Sequence, residues 1–343
     1  MPDLKTAITE VVTGLGMCGA DDVGSAFTCR PHALQNVSDD DWRSLHDAWT
    51  AGSHRDLFVA SFMNGRAFLH AQDALRGRPP IIVEWRGPHR SVGDEAVPAD
   101  LRVDHVYLVS CKYLSRIVVN ASPEHLFDRQ LKGGHGQRSR GNWFQAIAPD
   151  EHAALYETVR AASAIDLPHD VTALNADQRR ELAHSFERGS AWPGDGAERY
   201  AAMVARVATE SARRWRAAVG AKAESMLWRL LRIGSAPYFV LGASPKGFTR
   251  FRIATPWDWR QQFELRAFDI EARAGGQPMV EWNAVVRRRD VADSRNMLVS
   301  GHVEIRWSHG RFCGPPEAKV YLDTPHAEVP GYFPLDERPP PSP

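Results

Sequence analysis

The chain is expected to fold as an α/β (α+β) protein with a helical middle region and a β-rich C-terminal domain. Three observations carry this. A helix–strand–strand–strand–helix order occupies residues 38–131, a nearly continuous helical pattern runs from about 150 to 232, and strand-rich sequence takes over after Pro237.

Residues 38–50, SDDDWRSLHDAWT, begin with Ser38 and place Asp41 three residues on, a capping box that starts a helix. A second helix is expected over His54 to Leu75, with apolar residues at Leu57, Phe58, Phe62, Phe68 and Leu69 and an interruption at Asn64-Gly65. Residues 76–80, RGRPP, end it, and IIVEW (81–85) starts a strand. Strands follow at ADLRV (99–103) and HVYLVSCKY (105–113). Ser122-Pro123-Glu124 then opens a helix, with Ser as N-cap and Pro at the first helical position. Residues 132–141, KGGHGQRSRG, read as a flexible basic loop. Helices are expected near 151–163, 176–188, 197–218 and 221–232, and strands in YFVLG, FTRFRIATP, QFELRAFDIEA, MVEWNAVVRRR, HVEIRWSHG and AKVYLDTP. The organisation this predicts is a helical segment (1–50), an α/β core (51–150), a helical region (151–235), a β-rich recognition or assembly domain (236–335) and a disordered tail (336–343).

Composition sets outer bounds. A chain of 343 residues can hold two or three domains, and 43% hydrophobic with 24% charged residues is ordinary for a globular protein. No run approaches eighteen apolar residues, which predicts no membrane span, and residues 1–16 lack the pattern of a signal peptide. Four cysteines without CxxC spacing argue against a zinc site or a disulfide framework, so a cytoplasmic location is the default. Formal net charge is zero, which does not advertise nucleic-acid binding, although a local basic cleft can be balanced elsewhere. Basic residues are almost all arginine. That makes Lys112, inside an apolar strand, conspicuous.

Near Lys112 stand the residues that could do chemistry: Pro98-Ala99-Asp100 and Ser110-Cys111-Lys112. If 100–112 were one strand, Asp104 and Lys112 would lie roughly 26 Å apart, so a hairpin is required for any acid to approach the lysine. A three-residue loop, 104–106, pairs Val103 with Tyr107 and Arg102 with Leu108. It therefore sets Asp100 opposite Ser110, with Lys112 one step further on the same face. A two-residue loop would put Asp100 with Val109, on the wrong face. Asp104 becomes a turn residue. Lys112 would lose solvent in such a sheet and is expected to need a carboxylate partner, Asp100 or Glu84.

This pattern resembles the PD-(D/E)XK nuclease superfamily, whose restriction-endonuclease-like core takes an Asp from one strand and an acidic-x-Lys tripeptide from the next. The resemblance covers 50 to 80 residues and departs from the common pattern at Ser110, where an acid is usual. It implies a metal-dependent nuclease using Mg²⁺ or Mn²⁺ on DNA, with Asp100, Ser110, Lys112 and Glu84 as catalytic residues. It also implies Asp100, Glu84, the Cys111 carbonyl and the helix acid Glu124 as metal ligands. A role in restriction or anti-phage defence follows, alone, as a homo-oligomer or with a defence-system partner. Lys132, Arg138 and Arg140 suit phosphate contact, or form a plain solvated loop. Ser110 equally suits a catalytically inactive relative that binds DNA or protein.

Blander readings stand beside these. Glu84 could pair with Arg86 or Arg66, Glu124 could complement a helix dipole, and Asp128 could be solvated. Glu304 with Glu317-Ala318-Lys319 forms a second acidic/ExK arrangement across an expected hairpin. Trp257, Trp259, Trp282 and Trp307 could stack on bases, with core packing the use of at least half.

Overall fold

The computed structural model describes residues 3–87, 99–113, 117–131, 141–186, 190–234, 237–244, 247–291, 295–307 and 310–335. It is an α+β fold with a β-rich C-terminal region, as the sequence predicts. The chain divides into two compact units, neither continuous: residues 1–115, 232–263 and 325–343 form the first, 116–231 and 264–324 the second. The linear boundaries expected at 50 and 150 therefore do not mark compact bodies, and only the one near 235 falls close to a crossing. Strand pairing is the reason, because it draws residues 238–253 into the first unit's sheet.

The strands are β1 (Leu34–Gln35), β2 (Val83–Trp85), β3 (Leu101–Val103), β4 (Tyr107–Tyr113), β5 (Ile117–Ala121), β6 (Tyr238–Ser244), β7 (Gly247–Ile253), β8 (Phe263–Gly275), β9 (Gln277–Arg288), β10 (Met297–Arg306), β11 (Glu317–Leu322) and β12 (Tyr332–Pro334). In the first unit seven of them form one sheet, ordered β1-β2-β3-β4-β6-β7-β12. β2, β3 and β4 make an antiparallel meander, and β6 then runs parallel to β4. A parallel neighbour needs a long crossover; here the chain builds part of the second unit before it returns.

Side chains alternate along these strands. One set (Val83, Trp85, Leu101, Val103, Val109, Cys111, Phe239, Leu241) packs into a core with Ile8, Val11, Leu15, Phe58, Phe62 and Phe68. Those last residues come from residues 4–17, helical with a π turn at Ile8–Val12, and from the helix Arg55–His70. Asn64-Gly65 does not interrupt the second helix. A Cβ on Gly65 would lie 2.1 Å from the Thr13 carbonyl oxygen, and one on Gly16 would lie 2.1 Å from that of Phe62. The glycine lets two helices touch. Ser38 caps Asp39–Thr50 as expected, its Oγ accepting from the Asp41 N–H at 3.1 Å.

The second unit holds the sheet β5-β11-β10-β9-β8. Val280, Trp282, Ala284 and Val286 of β9 and Val299, Val303 and Ile305 of β10 are buried, as are Met203, Val207, Ala212 and Trp215 of the helix Gly196–Val219. Three elements differ from expectation. β5 stands between β4 and the helix after Ser122, and that helix is short, continuing as a π turn at His125–Arg129. In the first unit, residues read as strand flank the helix Pro256–Gln262, which Thr255 caps by accepting from the Asp258 N–H at 3.2 Å. Of Trp257, Trp259, Trp282 and Trp307, Trp259 and Trp282 are fully buried and Trp257 is 71% exposed.

His152 of the helix Pro149–Ala162 is 1% exposed and packs on Phe144 and Phe312. Burial pushes its imidazole from 6.5 down to about 4. With the folded value the lower one, the unfolded chain takes up the proton first as pH falls. Stability is then full above about pH 6.5 and declines toward about pH 4, by roughly 3 kcal/mol in all. His152→Phe is expected to remove that component in urea unfolding at pH 7 and pH 4.5. Identical pH slopes in the two chains would contradict it.

Candidate functional site

The β3–β4 loop has three residues, 104–106, and pairs Val103 with Tyr107, Arg102 with Leu108 and Leu101 with Val109. Beyond Leu101 the register slips: the Asp100 N–H donates to the carbonyl of Val109, the residue already paired with Leu101, at 2.9 Å, so the expected pairing of Asp100 with Ser110 is not formed. Asp104 is a turn residue at φ 49°, and its Oδ1 accepts from the N–H groups of Ile81 (2.7 Å) and Ile82 (3.1 Å). Odd loop length fixes parity. Ser110 and Lys112 therefore share the face of the sheet opposite the helical core, and Asp100 reaches Ser110 through its side chain.

Asp100 is 6% exposed and Ser110 2%. Asp100 Oδ2 accepts from the Cys111 N–H at 2.7 Å and from Ser110 Oγ at 3.2 Å. These bonds offset the desolvation of a buried carboxylate and hold it in one orientation. Tyr238, buried on β6, hydrogen-bonds Ser110 as well, and its phenol is pushed up chiefly by burial.

Lys112 is half-buried and stands opposite Gly242 of β6. A Cβ at 242 would come within 3.2 Å of the Lys112 Cβ, so glycine leaves the lysine room. Among the described residues Lys112 makes no ion pair. Neither Asp100 nor Glu84, the partners expected for it, pairs with it, and partial exposure lets water solvate the ammonium.

Glu84 lies on the same face, opposite Arg102. Arg102 Nη2 donates to its Oε1 at 2.7 Å and Arg102 Nε to its Oε2, while His105 Nδ1 sits 3.5 Å from Oε2. The Arg102 hydrogen bonds hold the Glu84 carboxyl below its usual range, against a smaller desolvation effect. Arg66, one of the two expected partners, instead donates to the Asp21 carbonyl at 2.9 Å. Arg86, the other, lowers Glu84 only through its more distant charge.

Cys111 points into the core, and burial, followed by the Asp100 and Glu10 carboxylates, raises its thiol well above the ordinary value. Glu10 was not singled out in the sequence. It sits on the π turn, is 6% exposed, and accepts from Trp85 Nε1 at 2.6 Å. A carboxylate inside an otherwise apolar helical stretch was the available signal.

In the second unit Glu124 pairs with Arg129, and Asp128 with Arg214 Nη1 at 3.1 Å rather than with solvent. Glu304 faces Lys319 across β10–β11, Lys319 Nζ lies 3.5 Å from Glu317 Oε2, and Arg306 Nη1 lies 3.2 Å from Glu304. That second motif is an ionic ladder with its charges matched. Lys132, Arg138, Arg140 and the 336–343 tail lie outside the described residues.

Among the described residues no three His, Cys, Asp or Glu side chains group so as to hold a metal ion, and no helix is long and apolar enough to cross a membrane. No family model matches the sequence, and comparison with curated proteins and with solved structures gave no significant match.

Proposed function

We propose that the first unit is a metal-dependent nuclease module of the PD-(D/E)XK type acting on DNA. The observation that carries this reading is the hydrogen bonding of Asp100 to Ser110 and to the Cys111 N–H, on the strand whose same face carries Lys112. A half-buried ammonium that makes no ion pair with the described residues supports it, since its charge can meet a phosphate oxygen. Restriction of foreign DNA is the biological role the reading implies.

The donor chemistry fits the implied cation. Magnesium takes oxygen ligands, keeps several waters and uses one or two carboxylates together with substrate phosphates. Asp100 and Glu84 supply two carboxylates and would hold Mg²⁺ or Mn²⁺. The bound cation supplies Lewis acidity and an activated water. The chain's own groups do the rest. The Cys111 N–H and the Ser110 hydroxyl fix the Asp100 carboxylate, and Lys112 neutralises charge gathering on the phosphate. Arg102 holds Glu84, and a DNA phosphate competes for the same guanidinium fork.

That Arg102 contact favours a second reading, a catalytically inactive relative that binds DNA or protein: both Glu84 oxygens are taken and Ser110 replaces an acid. Calorimetric titration of Mn²⁺ with and without duplex DNA separates the two. A hydrolase binds Mn²⁺, loses at least tenfold affinity in Glu84→Gln, and keeps or gains affinity in Arg102→Gln. Absence of binding in both the unaltered chain and Arg102→Gln, with DNA present, would leave the inactive reading.

A further inference from the structure

We infer that Tyr238 is a positioning residue of the Asp100 site, orienting the Asp100 carboxylate toward a cation through the hydroxyl of Ser110. The inference rests on the nuclease reading for the cation. The rest of it stands on hydrogen bonds within the first unit, where all the residues involved lie.

Proton counting sets the direction of the chain. Ser110 Oγ donates to Asp100 Oδ2 at 3.2 Å. A serine hydroxyl carries one proton, so with that proton committed to the carboxylate the oxygen can only accept. Tyr238 hydrogen-bonds the same side chain and is therefore the donor. Its phenol keeps the proton, because burial, the largest effect on it, disfavours the phenolate. The order Tyr238 to Ser110 to Asp100 lets each bond polarise the next in the same sense.

The fold holds the phenol in place. Tyr238 stands opposite Leu108 of β4 and Ile253 of β7, and Ile253 stands opposite Tyr332 of β12. Tyr238, Ile253 and Tyr332 are all buried. A buried tyrosine needs a partner for its O–H, and Ser110 supplies one. The benefit to Ser110 is orientation. A serine hydroxyl alone is a rotor that can turn away from Asp100; a bond accepted from Tyr238 occupies one lone pair and leaves the proton aimed at the carboxylate. The Cys111 N–H, at 2.7 Å, and the Ser110 hydroxyl both fall on Oδ2, so together they set the plane of the carboxylate. A serine where the PD-(D/E)XK pattern has an acid then has a use. A carboxylate at 110 could not donate to Asp100 and would repel it.

The test is calorimetric titration of Mn²⁺ into the full-length chain with duplex DNA present, comparing the unaltered chain with Tyr238→Phe, Ser110→Ala and the double variant. Groups that hold a metal ligand from behind typically contribute about 10–100-fold in metal affinity. Tyr238→Phe, which keeps the ring, is expected to weaken Mn²⁺ binding about tenfold, and Ser110→Ala at least as much. The double variant should bind no more weakly than Ser110→Ala alone, because the phenol acts only through the serine. Urea unfolding of the same four chains supplies the second readout. A phenol with a packing role alone would lower the urea midpoint and leave Mn²⁺ affinity where it was. That result, or losses that multiply in the double variant, would overturn the inference. Absence of Mn²⁺ binding by the folded, unaltered chain is a different failure: it defeats the nuclease reading, and the positioning role with it.

Discussion

Gly65→Val is expected to leave the first unit unable to fold stably, and Gly65→Ala to lower its unfolding free energy by about 2–3 kcal/mol. Alanine ordinarily gains about 1 kcal/mol over glycine inside a helix, so intrinsic propensity points the other way. Packing decides. The added Cβ would meet the Thr13 carbonyl oxygen at 2.1 Å and the Gly16 Cα at 2.8 Å, and these are backbone atoms that move only if a helix moves. Overpacking against rigid neighbours costs about 1–3 kcal/mol, more when no side chain can yield. Gly16→Ala meets the Phe62 carbonyl from the other side of the same crossing. The double variant should therefore cost less than the sum of the two. Urea unfolding of the three variants checks this, and a Gly65→Ala chain as stable as the original would sink it.

The second large effect separates structure from chemistry at one residue. Asp100→Ala is expected to lower stability by about 3 kcal/mol, because it leaves the Cys111 N–H and the Ser110 hydroxyl buried without an acceptor. Asp100→Asn keeps an acceptor oxygen for the Cys111 N–H and should cost under about 1 kcal/mol. Both substitutions remove the anion. If Asp100 binds a catalytic cation, both abolish DNA cleavage, by a factor of about a thousand or more, although only one destabilises. An Asp100→Asn chain that cleaves DNA normally would make this aspartate a structural stop to the β3–β4 ladder and nothing more.

Part of the candidate site was legible in the sequence because it depends on short-range parity. A three-residue loop sets the register of one hairpin from Val103–Tyr107 to Leu101–Val109, and strand alternation sets Ser110 and Lys112 on one face. The slip at Asp100, whose N–H bonds the Val109 carbonyl, had no local signal. Glu84 was harder. Its partner follows from the β2–β3 register, and the long connection between those strands does not set a register, so Arg102 was not seen as the residue that holds it. The pairing of β4 with β6 was invisible for the same reason on a larger scale, and with it the place of Gly242 beside Lys112 and of Tyr238 beside Ser110. Asn64-Gly65 carries the composition of a turn, yet serves as a contact point between helices, a role only tertiary packing reveals. The Pro256–Gln262 helix did have a local signal, a Thr-Pro-x-Asp cap, overridden by the strand-like residues around it.

The most direct measurement of the central claim is nicking of supercoiled plasmid by the full-length chain with Mg²⁺ or Mn²⁺, run beside Lys112→Ala and Asp100→Asn. The expected result is cation-dependent nicking by the unaltered chain, abolished by chelation and reduced by about two orders of magnitude or more in each variant. Equal nicking by all three chains, or none by a folded unaltered chain that also binds no Mn²⁺ in the presence of DNA, would contradict a nuclease centred on Asp100 and Lys112.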